Sequence, residues 1–208
     1  MLKSFSKQRS KRERLKKLEP VNFIDLLSAV DSNNFDEVER MLSTDFDVDQ
    51  NVLGTTLLTR AATNGHFEMV ELLLRYGADV NKTVFDDTAL HKAVYKNHTD
   101  VVKVLLSNRA DTNVQSKNGN TPLHLAVQKN HTDIVVKLLE NNCKVILQNR
   151  YGDTALHIAA RTGQVKTFGL IADNGADISI KNKQGKTALD EAMETRGFSG
   201  ELYVKWLS

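Results

Sequence analysis

Six histidines are the side chains of this sequence best suited to acid–base or metal chemistry, but their spacing argues against both. Three of them close a Thr-x-Leu-His segment and follow one another at a constant interval: His91, His124 and His157. The others recur at almost the same interval: His66, His98 and His131. A metal site needs several such side chains to converge, and the chain offers only one cysteine to join them. Histidines that recur once per repeat indicate a structural role.

Motifs for covalent or phosphate chemistry are also missing from the sequence. It contains neither a nucleophile elbow nor a glycine-rich loop that leads into Lys-Ser/Thr at phosphate-binding spacing. The adjacent carboxylates Asp86 and Asp87 fall in a predicted turn, which does not suit a catalytic pair. We therefore predict that the chain is not an enzyme, and that it uses no metal and no cofactor.

The elements around these histidines repeat as well. The segment Gly119-Asn-Thr-Pro-Leu-His-Leu-Ala126 recurs in altered form at the same interval as the histidines, with copies that start at Asp86, Gly152 and Gly185. A further copy starts at Gly54, and its distance from the copy at Asp86 is shorter by a single position. Self-similarity at such a period indicates a stacked array of small units, in which each unit packs only on its neighbours.

Each unit has the pattern of two short helices. A threonine opens the first helix, and its hydroxyl can satisfy a free amide there. A polar turn follows, and then a second helix with apolar residues at i, i+1 and i+4, which predicts one buried face. Neither helix is long enough to be stable alone, so burial between units must hold them. Asn97 and Asn130 stand at turn positions that suit the left-handed conformation.

The net charge of +2 conceals a segregation of charge along the chain. Residues 1–20 carry +6, residues 21–80 carry −8 and residues 81–208 carry +4. No stretch approaches the length of a membrane span, and the N-terminus lacks the apolar core of a classical secretory signal. A single cysteine fits a reducing compartment. We expect a cytoplasmic protein, with nuclear entry through the basic segment as an alternative.

The pattern Gly-x-Thr-Pro-Leu-His-x-Ala, followed by a Val/Leu-rich helix and Gly-Ala-Asp-Val-Asn, resembles the ankyrin repeat. The resemblance covers about residues 21–208 and implies an all-α fold: a solenoid of five to six stacked helix-turn-helix units, joined by outward hairpin-like turns. The units are expected near residues 21–50, 51–82, 83–115, 116–148, 149–181 and 182–208, the first and last being degenerate caps, and residues 1–20 form a basic, flexible tail. Trp206 is expected to cover the C-terminal end; alternatively, the reading frame continues past Ser208.

The resemblance implies a protein-binding module, an adaptor or an inhibitor, that acts as a monomer through a concave surface of turn tips and first helices. Residues at these positions do not serve the core, so they are free to contact a partner. The expected partner-binding residues are Val52, Leu53, Val84, Phe85, Tyr95, Lys96, Lys117, Asn118, Gln128, Lys129, Arg150, Tyr151, Arg161 and Lys183. The first four are apolar and the later ones are mainly basic, which predicts a protein or peptide partner with an apolar anchor and acidic residues.

Other interpretations of the sequence stay open. The basic tail predicts an alternative contact with nucleic acid or an anionic membrane, through residues 1–20 alone. A short, Asn-rich array also suits a pathogen-delivered effector that acts on a host protein, and the chain would equally serve as part of a larger enzyme or channel. The resemblance further implies that Asn81 and Asn113 are candidate sites for β-hydroxylation. Cys143 occupies a position held by alanine in other units, which indicates either a small packing residue or a regulatory thiol.

Overall fold

The computed structural model describes residues 22–43 and 46–195, and this part of the chain is helical. Within it, the regular elements are eleven helices: α1 (Phe23–Asp31), α2 (Phe35–Leu42), α3 (Leu57–Asn64), α4 (Phe67–Arg75), α5 (Ala89–Tyr95), α6 (Thr99–Ser107), α7 (Pro122–Gln128), α8 (Thr132–Glu140), α9 (Ala155–Arg161), α10 (Val165–Asp173) and α11 (Ala188–Glu194). The only β-pairing among these residues consists of three isolated antiparallel bridges. The predicted all-α class is confirmed.

The helices have seven to nine residues, so packing rather than length must stabilise them. Threonine caps four of the first helices, since the hydroxyls of Thr56, Thr88, Thr121 and Thr187 accept a hydrogen bond from the amide three residues later. Pro122 occupies the first turn of α7, where no amide hydrogen is needed. The expected threonine caps are therefore present.

Neighbouring units pack through matching helices. The first helices α1, α3, α5, α7, α9 and α11 contact one another in chain order, and each of the first five also contacts the second helix of its own unit. A continuous apolar core runs along the array, and the alanines that let first helices approach closely are almost completely buried: Ala61, Ala93, Ala126, Ala159 and Ala192. The single core explains why no unit needs to be stable alone.

Tight turns use left-handed backbone where the sequence predicts it. Asn97 and Asn130, between the two helices of their units, have φ of 63° and 59°. Arg109 and Asn142 also take positive φ, at the position after the second helix where glycine stands in other units. Asparagine tolerates this region better than arginine does, so Arg109 carries the larger local cost.

Several expectations fall outside the described residues. They are the flexibility of residues 1–20, the role of Trp206 as a cap, and the part of the C-terminal unit that follows Thr195.

Candidate functional site

The loop tips and the exposed sides of the first helices lie together along one side of the array. We call this side the inner surface; its tips are residues 52–55, 84–87, 116–120, 149–153 and 182–186, and its helices are α3, α5, α7, α9 and α11. Histidines position the tips. His91 Nε2 lies 3.2 Å from the Asn120 carbonyl oxygen, His124 Nε2 lies 3.0 Å from that of Asp153, and His157 Nε2 lies 3.1 Å from that of Lys186. In each case the carbonyl belongs to the tip of the next unit.

The other ring nitrogen fixes the tautomer of these histidines. The Thr121 amide donates to His124 Nδ1 at 3.2 Å, so Nδ1 carries no hydrogen and Nε2 must be the donor to the Asp153 carbonyl. Burial lowers the pKa of His124 to about 4 and also lowers that of His91. Both rings are therefore neutral at physiological pH, and the interpretation of these histidines as structural links between units is supported.

Hydrogen bonds between backbones join the last three tips to one another. These tips span residues 116–120, 149–153 and 182–186. The Arg150 amide donates to the Asn118 carbonyl at 2.9 Å, and the Lys183 amide donates to the Tyr151 carbonyl at 3.0 Å. Gln115 and Gln148 each donate to a carbonyl of the following unit, at 2.9 and 3.0 Å. These three tips form one bonded strip.

Substitution of Gly152 tests how closely the tips pack. A Cβ atom there would lie 2.7 Å from the Lys183 amide nitrogen, whereas a Cβ atom at Gly185 would have no neighbour within 4 Å. Both glycines have almost the same φ, 76° and 77°. We expect Gly185→Ala to cost about 1–2 kcal/mol of unfolding free energy for the left-handed backbone. Gly152→Ala should cost a further 1–3 kcal/mol, roughly, for the clash. Urea denaturation measures both, and equal losses would contradict close packing of the tips.

The first two tips have a different geometry. Each is a two-residue hairpin turn, closed by bridges between Val52 and Thr55 and between Val84 and Asp87. Leu53 and Phe85 occupy the first central position, at φ of 55° and 50°, where Asn or Gly is normally preferred. Their side chains are 89% and 79% exposed. The ring of Phe85 also lies against Gly54 of the neighbouring tip.

Val84 is a correction to the sequence-based prediction. The sequence predicts an exposed side chain beside Phe85, but only 3% of the surface of Val84 is accessible. Val52, its counterpart, is half-buried and packs against the core. Side chains alternate between the two faces of an extended segment, so a bridge residue points inward when the following tip residue points outward. Neither valine therefore presents an apolar anchor on the surface, whereas Leu53 and Phe85 do.

The basic residues predicted further along the array lie on the surface. Those with exposed side chains, together with their polar neighbours, are Lys96, Lys117, Asn118, Gln128, Lys129, Arg150 and Lys183. Tyr95 is half-exposed, and Lys129 Nζ lies 4.3 Å from the centre of its ring. Arg150 Cζ lies 5.9 Å from the centre of the Tyr151 ring, and its guanidinium donates to Asn118 Oδ1 at 3.1 Å. Aromatic rings and cations thus lie together on the inner surface, and their role in binding a partner stays a prediction.

Arg161 belongs to a network that sequence reasoning missed. Its guanidinium donates to Asp153 Oδ2 at 2.6 Å and to Glu191 Oε1 at 3.0 Å, and Asn182 Nδ2 bonds both carboxylates. The side chains of Asp153 and Glu191 are only 5% exposed, while that of Arg161 is 44% exposed. Although burial opposes it, hydrogen bonding to Arg161 and Asn182 holds the pKa of Asp153 below its usual value. Arg161 therefore neutralises buried carboxylates rather than standing free for a partner.

One signal in the sequence could have revealed this network. Glu191 stands where the two preceding units place the apolar residues Leu125 and Ile158, and a carboxylate in place of an apolar residue next to the core needs a partner. At the other end of the array, Arg60 forms a comparable link by binding both carboxylate oxygens of Asp31. The two arginines join neighbouring first helices, so each stabilises the stack from the inner surface.

The asparagines considered for hydroxylation form a ladder between units. Asn81 Oδ1 accepts from the Asp111 amide, and Asn113 Oδ1 accepts from the Lys144 amide, both at 2.7 Å. Ile146 follows at the next equivalent position and is 51% exposed. Both asparagine side chains are thus engaged in the folded array, so an oxygenase would act on them only after local opening. Hydroxylation of Asn81 and Asn113 stays a prediction.

Cys143 is half-buried and packs against the core. Burial raises the pKa of its thiol to about 11. The thiolate is the reactive species, so this environment favours the packing role over a regulatory one.

Within residues 22–43 and 46–195, no cluster of three His, Cys, Asp or Glu side chains is placed to hold a metal ion. In the same part of the chain, no helix has the length and apolar character that spanning a membrane requires.

Comparison with protein families supports the repeat assignment. The model described as ankyrin repeats (3 copies) matches residues 26–116 and 105–182, which together form most of the chain. No curated protein matches the sequence. The repeated Thr-x-Leu-His segments, the stacked helix pairs and this match agree, and the chain belongs to the ankyrin-repeat family.

Proposed function

We propose that this protein is a non-enzymatic interaction module that binds a partner protein on its inner surface and acts as an adaptor or inhibitor. Ankyrin repeats generally mediate protein–protein interaction. The observation that carries the proposal is the placement of Leu53 and Phe85 at protruding tips with positive φ. An apolar side chain in that backbone region costs free energy and gains little burial here. A partner that buries both side chains offsets this cost on binding.

The charges on the same surface define the partner further. Lys96, Lys117 and Lys183 are exposed cations that make no ion pair with a described residue. Lys129 and Arg150 lie beside tyrosine rings, and both tyrosine and arginine are enriched at binding hot spots. A partner segment with an apolar anchor for the first two tips and acidic residues for the later units fits this surface.

The double variant Leu53→Asn/Phe85→Asn tests the proposal. Asparagine suits the left-handed positions, so the unfolding free energy should stay within about 1 kcal/mol of the wild-type value or rise. The loss of both apolar side chains should weaken partner binding about tenfold or more, since anchor residues typically contribute over 1 kcal/mol each. Affinity capture with quantitative mass spectrometry compares the two proteins, and urea denaturation verifies the fold.

Ile146→Asn provides the matched control, because Ile146 is also an exposed apolar residue but lies in the loop after α8. A genuine partner is captured by the wild type and by Ile146→Asn, and is depleted with the double variant. Equal capture by all three proteins would contradict a role for the tips in binding.

A further inference from the structure

The strip of bonded tips stops at residue 116. Arg150 and Lys183 each donate their amide to the preceding tip, but the Lys117 amide, at the equivalent position, donates to no residue within the described ranges. The preceding tip has only four residues, 84–87, whereas each later tip has five. At the step between residues 87 and 116, no backbone hydrogen bond joins one described tip to the next, although His91 links the two units through the Asn120 carbonyl. Tips 52–55 and 84–87 also lack such a bond, but there the ring of Phe85 lies against Gly54.

An open space of about 260 Å³ lies beside this step. Asp87, Lys92 and Tyr95 line it from the unit before the step, and Ser116, Asn118 and Leu125 line it from the unit after the step. Its size suits one side chain of a bound peptide rather than a separate ligand. The space opens on the same surface as the Lys117 amide, so a single extended segment can reach both.

The charges around the step are mainly positive. Lys92 is paired with Asp87 at 2.6 Å, so these two charges compensate each other. Lys96, Lys117 and Lys129 lie on this part of the surface and form no ion pair with a described carboxylate. Asp86 is the exposed carboxylate on the opposite side of the step. A segment that enters here gains electrostatically from an acidic side chain.

We infer that an extended, acidic segment of the partner protein lies across this step. One of its backbone carbonyls accepts the hydrogen bond of the Lys117 amide, in place of the missing contact from tip 84–87. A neighbouring Glu or Asp side chain of the segment enters the space beside Tyr95 and Lys92. This inference rests on the proposed function. It specifies where the partner segment binds and that it binds in an extended conformation.

Amide chemical shifts test the inference directly. The 208-residue protein, labelled with ¹⁵N, is titrated with the blocked peptide Gly-Val-Glu-Val-Gly to about 5 mM, a range that detects weak binding. We expect the Lys117 amide to show a large downfield shift, with smaller shifts at Tyr95 and Ser116. The Lys peptide Gly-Val-Lys-Val-Gly should bind at least fivefold more weakly. No shift at Lys117 with the Glu peptide, or equal binding of the two peptides, would overturn the inference.

Two variants separate this site from general electrostatic attraction. Lys117→Glu should weaken binding of the Glu peptide about fivefold or more, whereas Lys183→Glu should change it less than twofold, because the Lys183 amide is already bonded. If shifts appear only at Leu53 and Phe85, the inferred site is wrong while the proposed function stands. If capture is insensitive to the Leu53 and Phe85 substitutions, the proposed function fails independently of the peptide result.

Discussion

Arg161→Glu is expected to destabilise the C-terminal units, so it cannot report cleanly on partner binding. The substitution removes the guanidinium that bonds Asp153 and Glu191 and places a third carboxylate beside them. Loss of one member of a buried ion pair costs about 3–5 kcal/mol. Because the Arg161 side chain is 44% exposed, solvent screens part of this effect, and we expect a loss of about 3 kcal/mol. Urea denaturation followed by circular dichroism measures it.

Arg150→Glu is the matched control for this prediction. Arg150 is exposed and makes a single side-chain hydrogen bond to Asn118, so its reversal should change stability by only about 0.5 kcal/mol. Adding Glu191→Gln to Arg161→Met should recover part of the stability that Arg161→Met alone loses, because one buried charge is removed. If Arg161→Glu proved as stable as Arg150→Glu, the network would have no structural role. Binding experiments on the inner surface should use Arg150.

Acidification from pH 7 to pH 4 should destabilise the array through His124. The folded-state pKa is about 4, below the ordinary value of 6.5, because the ring is buried. Below pH 6.5 the unfolded chain takes up a proton that the folded chain does not, so stability is fully present above that pH and falls as the pH approaches 4. The loss from His124 alone is about 3 kcal/mol over this range. The pKa of His91 is lowered by the same cause and adds in the same direction.

The variant His124→Gln tests how much of the pH dependence of stability comes from His124. A glutamine amide supplies both an acceptor and a donor without titrating, so it can replace the neutral ring in its two hydrogen bonds. Unfolding free energies at pH 7, 5.5 and 4 should fall less steeply for the variant than for the wild type. Parallel pH profiles would show that His124 does not take up a proton on unfolding.

The sequence predicts the scaffold well because the same physical requirement recurs in every unit. A threonine cap, a small alanine and a histidine each recur at the same interval. From the sequence alone, this recurrence indicates that the residues are structural rather than catalytic. Leu53 and Phe85 are also recognisable, since apolar residues at a turn tip have no place in the core.

Val84 and Arg161 show what such a pattern cannot supply. The burial of Val84 depends on the inward and outward alternation within a four-residue tip, and the length of that tip changes by one residue between units. The role of Arg161 depends on two carboxylates, one in its own unit and one 30 residues later, which only the stacking of units brings together. Position in the repeat predicts exposure of the arginine, but its pairing is a property of tertiary structure.

The histidine links also bear on the order in which the units acquire their hydrogen-bond partners during synthesis. The acceptor of His91, His124 or His157 lies 29 residues further along the chain. During synthesis on the ribosome, a unit that has just emerged therefore holds a ring without its acceptor until the next tip follows. Each newly made unit completes the one before it, so assembly from the N-terminus is the order in which buried polar groups are satisfied soonest.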